Sequence, residues 1–347
     1  MGGVVTDGWL LARALRDPGS TQGLDAAGWT DLLAIARAEQ MIGTLAYRLE
    51  DVAKPGAVAR ILDDARASAD HGRTLALWEA EAARRVLAPL GIRLVLLKGT
   101  AFVAADLMAG QGRSIGDLDI LVPHASLDAV EAALLGAGWE WVKPDPYDDA
   151  YYRQWMHELP PLIHRDRDRM IDVHHTILPL TARITPDAAA LLDGAIEVAP
   201  GLWTLSPADM IVHAAAHLFA DGDLAGGMRN LWDVDRLCRE FGAGQPDFYA
   251  AVCDRARHHG LLAQVERAFR LCARLYATPL AIDLAKRRSD TLYLRRLTAR
   301  DGWGRATRAV TRQAFYIRSH YLRMPPAMLA RHLWTKWRKG GAGPSAG

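Results

Sequence analysis

Apolar residues recur every three or four positions through most of this chain, a helical spacing that gives way in the second quarter to short continuous apolar runs. The spacing predicts helices over DGWLLARALRD (7–17), AGWTDLLAIARAEQMIGTLAYRLE (27–50) and an Ala/Arg/Glu-rich stretch over 58–87, making 1–87 a helical N-terminal region. After Pro89 the texture changes. GIRLVLLKG (91–99) is too short for a helix and apolar enough for a buried strand. GDLDILV, PLIHR and MIDVHHTI are the further strand candidates. Helices are predicted between them over TAFVAADLMAG (100–110) and SLDAVEAALLGAG (126–138), the latter with Ser126 as N-cap and Gly136 and Gly138 at its exit. Strand and helix thus alternate over 88–180. Ser206 and Pro207 open another helix by cap and first-turn preference, and a helical C-terminal region runs over 181–339 before a flexible GGAGPSAG tail (340–347). The fold class expected is α+β: a small mixed sheet flanked by helices on both sides in sequence.

A chain of 347 residues, half hydrophobic and about a quarter charged, has the balance of a folded protein of two or three packed units. It has neither a secretory-type leader nor an apolar run of about 18 residues, so a cytoplasmic protein is expected. Cys238, Cys253 and Cys272 are too widely spread for a zinc knuckle and read as buried thiols. The formal net charge of +2 conceals an asymmetry. From Leu284 onward fifteen Lys or Arg face two Asp, a local +13 that leaves −11 on the first 283 residues. The basic end, with Trp334, Trp337, Arg338 and Lys339, either docks an anionic surface or packs its tryptophans on the protein itself. Nucleic acid fits the charge, but no nucleic-acid motif accompanies it.

The chemistry centres on acids. In a strand, Asp117 and Asp119 share one face, with Leu118, Ile120 and Val122 on the other, so two carboxylates are expected to face solvent together. Two like charges this close call for a cation. Asp172 and His174 repeat the arrangement in MIDVHH. If the two strands are neighbours, Asp117, Asp119 and Asp172 form an oxygen-rich site suited to Mg2+, with Mn2+ as a substitute. Upstream, LVLLKGT runs a strand into Gly99, Thr100 and a helix, whose backbone amides can cradle phosphate, and Lys98 and Arg113 add positive charge.

The order of LLKG, an Arg shortly before DLDILV, and a late Asp-x-His resembles the DNA polymerase beta-like nucleotidyltransferase superfamily, and within it a bacterial family of uncharacterised nucleotidyltransferases. The resemblance covers 94–175 and extends to LSPADMIVHAAAHLF and MRNLWDVDRLCRE. It implies Asp117, Asp119 and Asp172 as metal ligands and catalytic acids, Asp172 being a possible base. Gly99 and Thr100 would sit at the triphosphate with Lys98 and Arg113 beside them, and Arg229 is a further phosphate candidate; His174, on the face of Asp172, either orients that acid, touches the nucleotide or is a strand-surface histidine. The implied reaction moves a nucleoside monophosphate from an NTP co-substrate to a hydroxyl of a small molecule, peptide or protein. Two departures are present. Thr100 stands where the superfamily has Ser or Gly, and sixteen residues separate it from Asp117, slightly more than usual.

Rival readings remain. A binding or regulatory module could keep this fold without chemistry. HAAAH sets His213 and His217 one helical turn apart, as zinc ligands are, but lacks the glutamate of a zinc protease, so core or cleft-lining histidines are expected. Arg229 and Asp233, four apart on a helix, read as a surface pair worth about half a kcal/mol or less.

Overall fold

The computed structural model describes residues 7–143 and 146–323, so Trp334, Trp337, Arg338, Lys339 and the glycine-rich tail lie outside the described residues. The helices are α1 Trp9–Arg16, α2 Ala26–Ala38, α3 Ile42–Arg48, α4 Gly56–Leu87, α5 Lys98–Ala104, α6 Leu127–Gly136, α7 Pro146–Trp155, α8 Ala188–Asp193, α9 Pro207–Ala216, α10 Gly227–Phe241, α11 Phe248–His258, α12 Leu262–Tyr276, α13 Asp290–Leu297 and α14 Ala309–Arg323. The strands are β1 Leu94–Leu96, β2 Asp117–Leu121, β3 Trp139–Trp141, β4 Leu162–His164, β5 Met170–His174, β6 Ile196–Ala199 and β7 Leu202–Thr204. They form one mixed sheet in the order β3-β4-β5-β2-β1-β7-β6, and the fold is α+β with helical flanks.

Several elements differ from the sequence expectation for identifiable reasons. The helix expected over 27–50 is two helices. Gln40 takes a left-handed backbone (φ +55°), its N–H donates to Arg37 O, and the Met41 N–H donates to Ala36 O at 2.7 Å. This is a Schellman stop built on Gln where Gly is usual, so the sequence hides it. The run 91–99 contributes only Leu94–Leu96 to the sheet, and α5 starts at Lys98 rather than Thr100. The expected helix 100–110 ends at Ala104, and Met108–Gly110 is a separate 3-10 turn. Ser126 sits in helical backbone and its side chain makes no cap bond. Ser206 does cap α9, accepting from the Asp209 N–H, with Pro207 at the first position.

Three strands were not anticipated. β3 is a three-residue aromatic edge, and β6 and β7 form a hairpin around Pro200 and Gly201 (φ +73°). β7 matters for the site. It pairs parallel with β1 and feeds α9, so α9 starts at the same end of the sheet as the Lys98 turn that follows β1.

The core is continuous from sheet to helices. α4, buried at Ala76, Ala80, Ala83 and Leu87, lies against β1, β2 and β7, while α9, α10 and α12 pack on one another. α1 packs on α12. The N-terminal segment is also tied to the C-terminal helices by Arg300 Nε–Glu39 at 2.7 Å and Arg308–Asp7 at 3.2 Å. The three cysteines are buried free thiols. Among the described residues no helix is long and apolar enough to cross a membrane.

Candidate active site

β2 runs antiparallel to β1 and parallel to β5, and this topology gathers the acids. Leu96 pairs with Ile120, and the Leu97 N–H donates to Asp119 O at 2.9 Å, so the residue after β1 meets the start of β2. On the other side Asp117 is opposite Met170, Asp119 opposite Asp172, and Leu121 opposite His174. Alternation then puts Asp117, Asp119, Asp172 and His174 on one face. Leu118, Ile120, Ile171 and Val173 are buried on the other.

The two β2 acids do not share an environment, contrary to expectation. Asp117 is exposed, but Asp119 is 3% exposed. Its Oδ1 accepts from Lys98 Nζ at 2.6 Å and lies 2.9 Å from His174 Nε2. Burial alone favours the neutral acid, yet Lys98 and His174 overcome it and hold the Asp119 carboxyl below the usual range. Asp172 is the converse. Burial first, then the charges of Asp119 and Glu158, push it up to about 7, with His174 opposing.

Lys98 reaches Asp119 from a left-handed backbone (φ +48°), a conformation that costs a non-glycine residue about 1–2 kcal/mol. Burial works against its charge, but Asp119, Asp117 and Asp172 together raise its pKa. Gly99 is needed for a different reason. A Cβ there would lie 2.6 Å from Arg113 Nε and 3.2 Å from Ile115 Cγ1. Thr100 is buried behind it.

Arg113 is braced from three directions. Its guanidinium bonds Asp233 on α10 and lies 5.5 Å over the Phe102 ring. The loop that carries it is clamped to α3, where Gly43 and Gly112 touch backbone to backbone. A Cβ on Gly43 would lie 2.6 Å from Gly112 O, and Thr44 Oγ1 donates to that carbonyl at 3.3 Å. Arg229 also faces Asp233, at 3.7 Å, and donates to Gln40 O at 3.1 Å and to Thr44. The Arg229–Asp233 pair is buried, not on the surface.

A cavity of about 190 Å3 opens between β1–α5 and α9–α10, with Lys98, Arg113, His213, His217, Asn230 and Asp233 as its polar lining. Burial, then Lys98 and the neighbouring histidines, drive His213 well below its ordinary value, so it is neutral at physiological pH. His217 begins a turn of π-helix, His217–Asp221, and its Nδ1 is 3.3 Å from Asn230 Nδ2. Such turns recur at functional sites.

Among the described residues, two groups of three side chains bring metal-competent atoms within 4.8 Å of one another: Asp119, Asp172 and His174, and His157, Glu158 and His174. His213 and His217 belong to neither. The first group fits a hard divalent cation. Burial first, and the neighbouring acids next, push Asp172 up to about 7, and a cation bound there would favour its charged form. His157 and Glu158 escaped the sequence reading. The signal was present as HELPP, whose two prolines interrupt the ladder between β4 and this pair.

A family model described as "Uncharacterised nucleotidyltransferase" matches residues 25–277, most of the chain. A comparison with curated proteins gives no match.

Proposed function

The chain belongs to the uncharacterised nucleotidyltransferase family, and from that premise we propose that it moves a nucleoside monophosphate from an NTP to an acceptor hydroxyl, releasing pyrophosphate. This reading places the sheet and its acids within the polymerase beta-like superfamily. The observation that carries it is the parallel register setting Asp119 opposite Asp172, with Asp117 on the same face and Lys98 bonded to Asp119.

In this reading Asp117, Asp119 and Asp172 would hold Mg2+, or Mn2+ in its place. When bound, the metal neutralises phosphate charge and stabilises the leaving pyrophosphate oxygen. The chain's own groups do the rest. Asp172 accepts the proton of the acceptor hydroxyl, whose oxygen attacks the α-phosphorus as the bond to pyrophosphate breaks. His174 holds Asp119 in place from Nε2. Lys98, released from Asp119, and Arg113 offer positive charge to the triphosphate beside Gly99 and Thr100. Arg229 acts one step back, sharing Asp233 with Arg113 and so fixing its position. The cavity between β1–α5 and α9–α10 receives an organic part of a substrate, with Lys98 as the wall common to cavity and acids. A small molecule, a peptide or a protein hydroxyl is the acceptor class.

The test uses α-phosphate-labelled NTPs with Mg2+ and an extract of the native host, followed by mass spectrometry for nucleotide-sized gains. Label transfer is expected from wild type. In Asp117→Asn/Asp119→Asn it is expected to fall by a factor of about 100 or more, roughly 2.7 kcal/mol of barrier. Metal-dependent NTP binding without transfer would instead identify a nucleotide-binding regulator.

A further inference from the structure

His157 and Glu158 lie on the segment before β4, pinned to the end of β5. Glu158 bridges His174, the Leu159 N–H donates to Val173 O at 2.9 Å, and the His175 N–H donates to His157 O at 2.9 Å. Three donors of mixed type therefore converge beside the proposed magnesium acids. Glu158 Oε2 is 3.4 Å from His174 Nδ1 and 3.8 Å from His157 Nε2. Ligands held at about 2.1 Å from a tetrahedral zinc are about 3.4 Å apart, so these separations need little adjustment to close on one ion.

The histidine orientation points the same way. His174 turns Nε2 to the Asp119 carboxylate, which sets that nitrogen as the donor and leaves Nδ1 with a lone pair towards Glu158. A carboxylate receiving the far N–H of an imidazole is the usual support for a metal-ligating histidine. His157 is buried, with Nδ1 lacking a hydrogen-bond partner, and its ring centroid is 5.2 Å from that of His174. Burial pushes its pKa down to about 2, so it offers a neutral imidazole at physiological pH.

We propose that His157, Glu158 and His174 form a site for a zinc-class divalent transition-metal ion, oriented by Asp119 and distinct from the three-carboxylate site. Two imidazoles and one carboxylate suit zinc and its neighbours over magnesium, which prefers oxygen. The ion would fasten the 157–159 segment to β5 and hold His174 against Asp119.

The full chain, purified without chelator, is loaded with Zn2+ or Co2+ and dialysed. One ion per chain is expected, and X-ray absorption at the zinc edge should show two imidazole ligands. Glu158→Gln and His157→Gln should weaken zinc binding by about tenfold or more. Asp117→Asn/Asp172→Asn should leave it in place. A zinc shell with one imidazole or none overturns the site, as does affinity indifferent to His157 and Glu158. A measured His174 doubly protonated at neutral pH, with no zinc retained, overturns it in favour of a plain ion pair. The absorption measurement needs only wild type, so it stands if a variant fails to fold. None of these readouts uses nucleotidyl transfer, so either proposal can fail alone.

Discussion

Lys98 Nζ lies 2.6 Å from Asp119 Oδ1, joining a half-buried lysine in left-handed backbone to a carboxylate that is almost wholly enclosed. The lysine is the nearest compensation for that buried charge. Lys98→Met is expected to destabilise the metal-free protein by about 3–5 kcal/mol, because it leaves Asp119 charged with only His174 beside it. Urea unfolding measures this. Added Mg2+ should restore more stability to the variant than to wild type, and an unchanged midpoint would show that Asp119 is compensated elsewhere.

Asp172 makes stability depend on pH in an unusual direction for an acid. Its carboxyl ordinarily titrates near 3.8 and is pushed up to about 7 here, so between those values the unfolded chain has released a proton that the folded chain keeps. Its contribution to stability therefore falls as pH rises across that window and is flat above it. Subtracting the Asp172→Asn profile from wild type isolates the slope. Mg2+ affinity should climb by about tenfold per pH unit below pH 7 and level off above it, since binding displaces one proton. Calorimetric titration at several pH values checks this.

His157 opposes that trend. Held neutral down to about pH 2 by burial, it titrates near 6.5 once unfolded, so its contribution is complete above that value and is lost as pH falls below it. Wild type should weaken in acid more steeply than His157→Gln, as read from urea midpoints at pH 5 and 7.5.

Gly99→Ala tests the packing between α5 and Arg113. The added methyl would meet Arg113 Nε at 2.6 Å, and Arg113 cannot swing aside without leaving Asp233. A loss of about 1–3 kcal/mol is expected by denaturant titration, together with reduced NTP affinity. A variant as stable as wild type would mean that the arginine is free to move.

The Arg113–Asp233–Arg229 group invites a double-mutant cycle. Arg113→Met should cost about 3–5 kcal/mol by stranding Asp233 beside Arg229 alone, whereas Arg113→Met/Asp233→Leu should cost less than the sum of its single changes. Additive losses would show that the two residues are not coupled.

The acids were legible because strand alternation is simple: from Asp117, Asp119 and Asp172 alone one can place three carboxylates on a single face, and the register did so. Their inequality was not legible. Whether Asp119 is open or enclosed depends on a lysine aimed by a left-handed backbone and on a histidine from another strand, and neither relation has a local signature. The same limit hid the pairing of Asp233 with Arg113, which lies on a loop 120 residues earlier. The four-residue offset that makes Arg229 and Asp233 look like a surface pair says nothing of the helices packed over them. Strands β3, β6 and β7 are three or four residues long, below the length at which periodicity speaks. The Gln40 stop was missed because the residue type commonly found there was absent.

The backbone contact between Gly43 and Gly112 also bears on how far this chain can be trimmed. Arg113 follows directly from a loop whose seat is α3, so a fragment beginning at the sheet would keep every acid and lose the surface against which the arginine is set. Because α1 also buries Leu11 and Leu15 and packs on α12, a minimal version for engineering would keep α1 through α3 rather than start at the first strand.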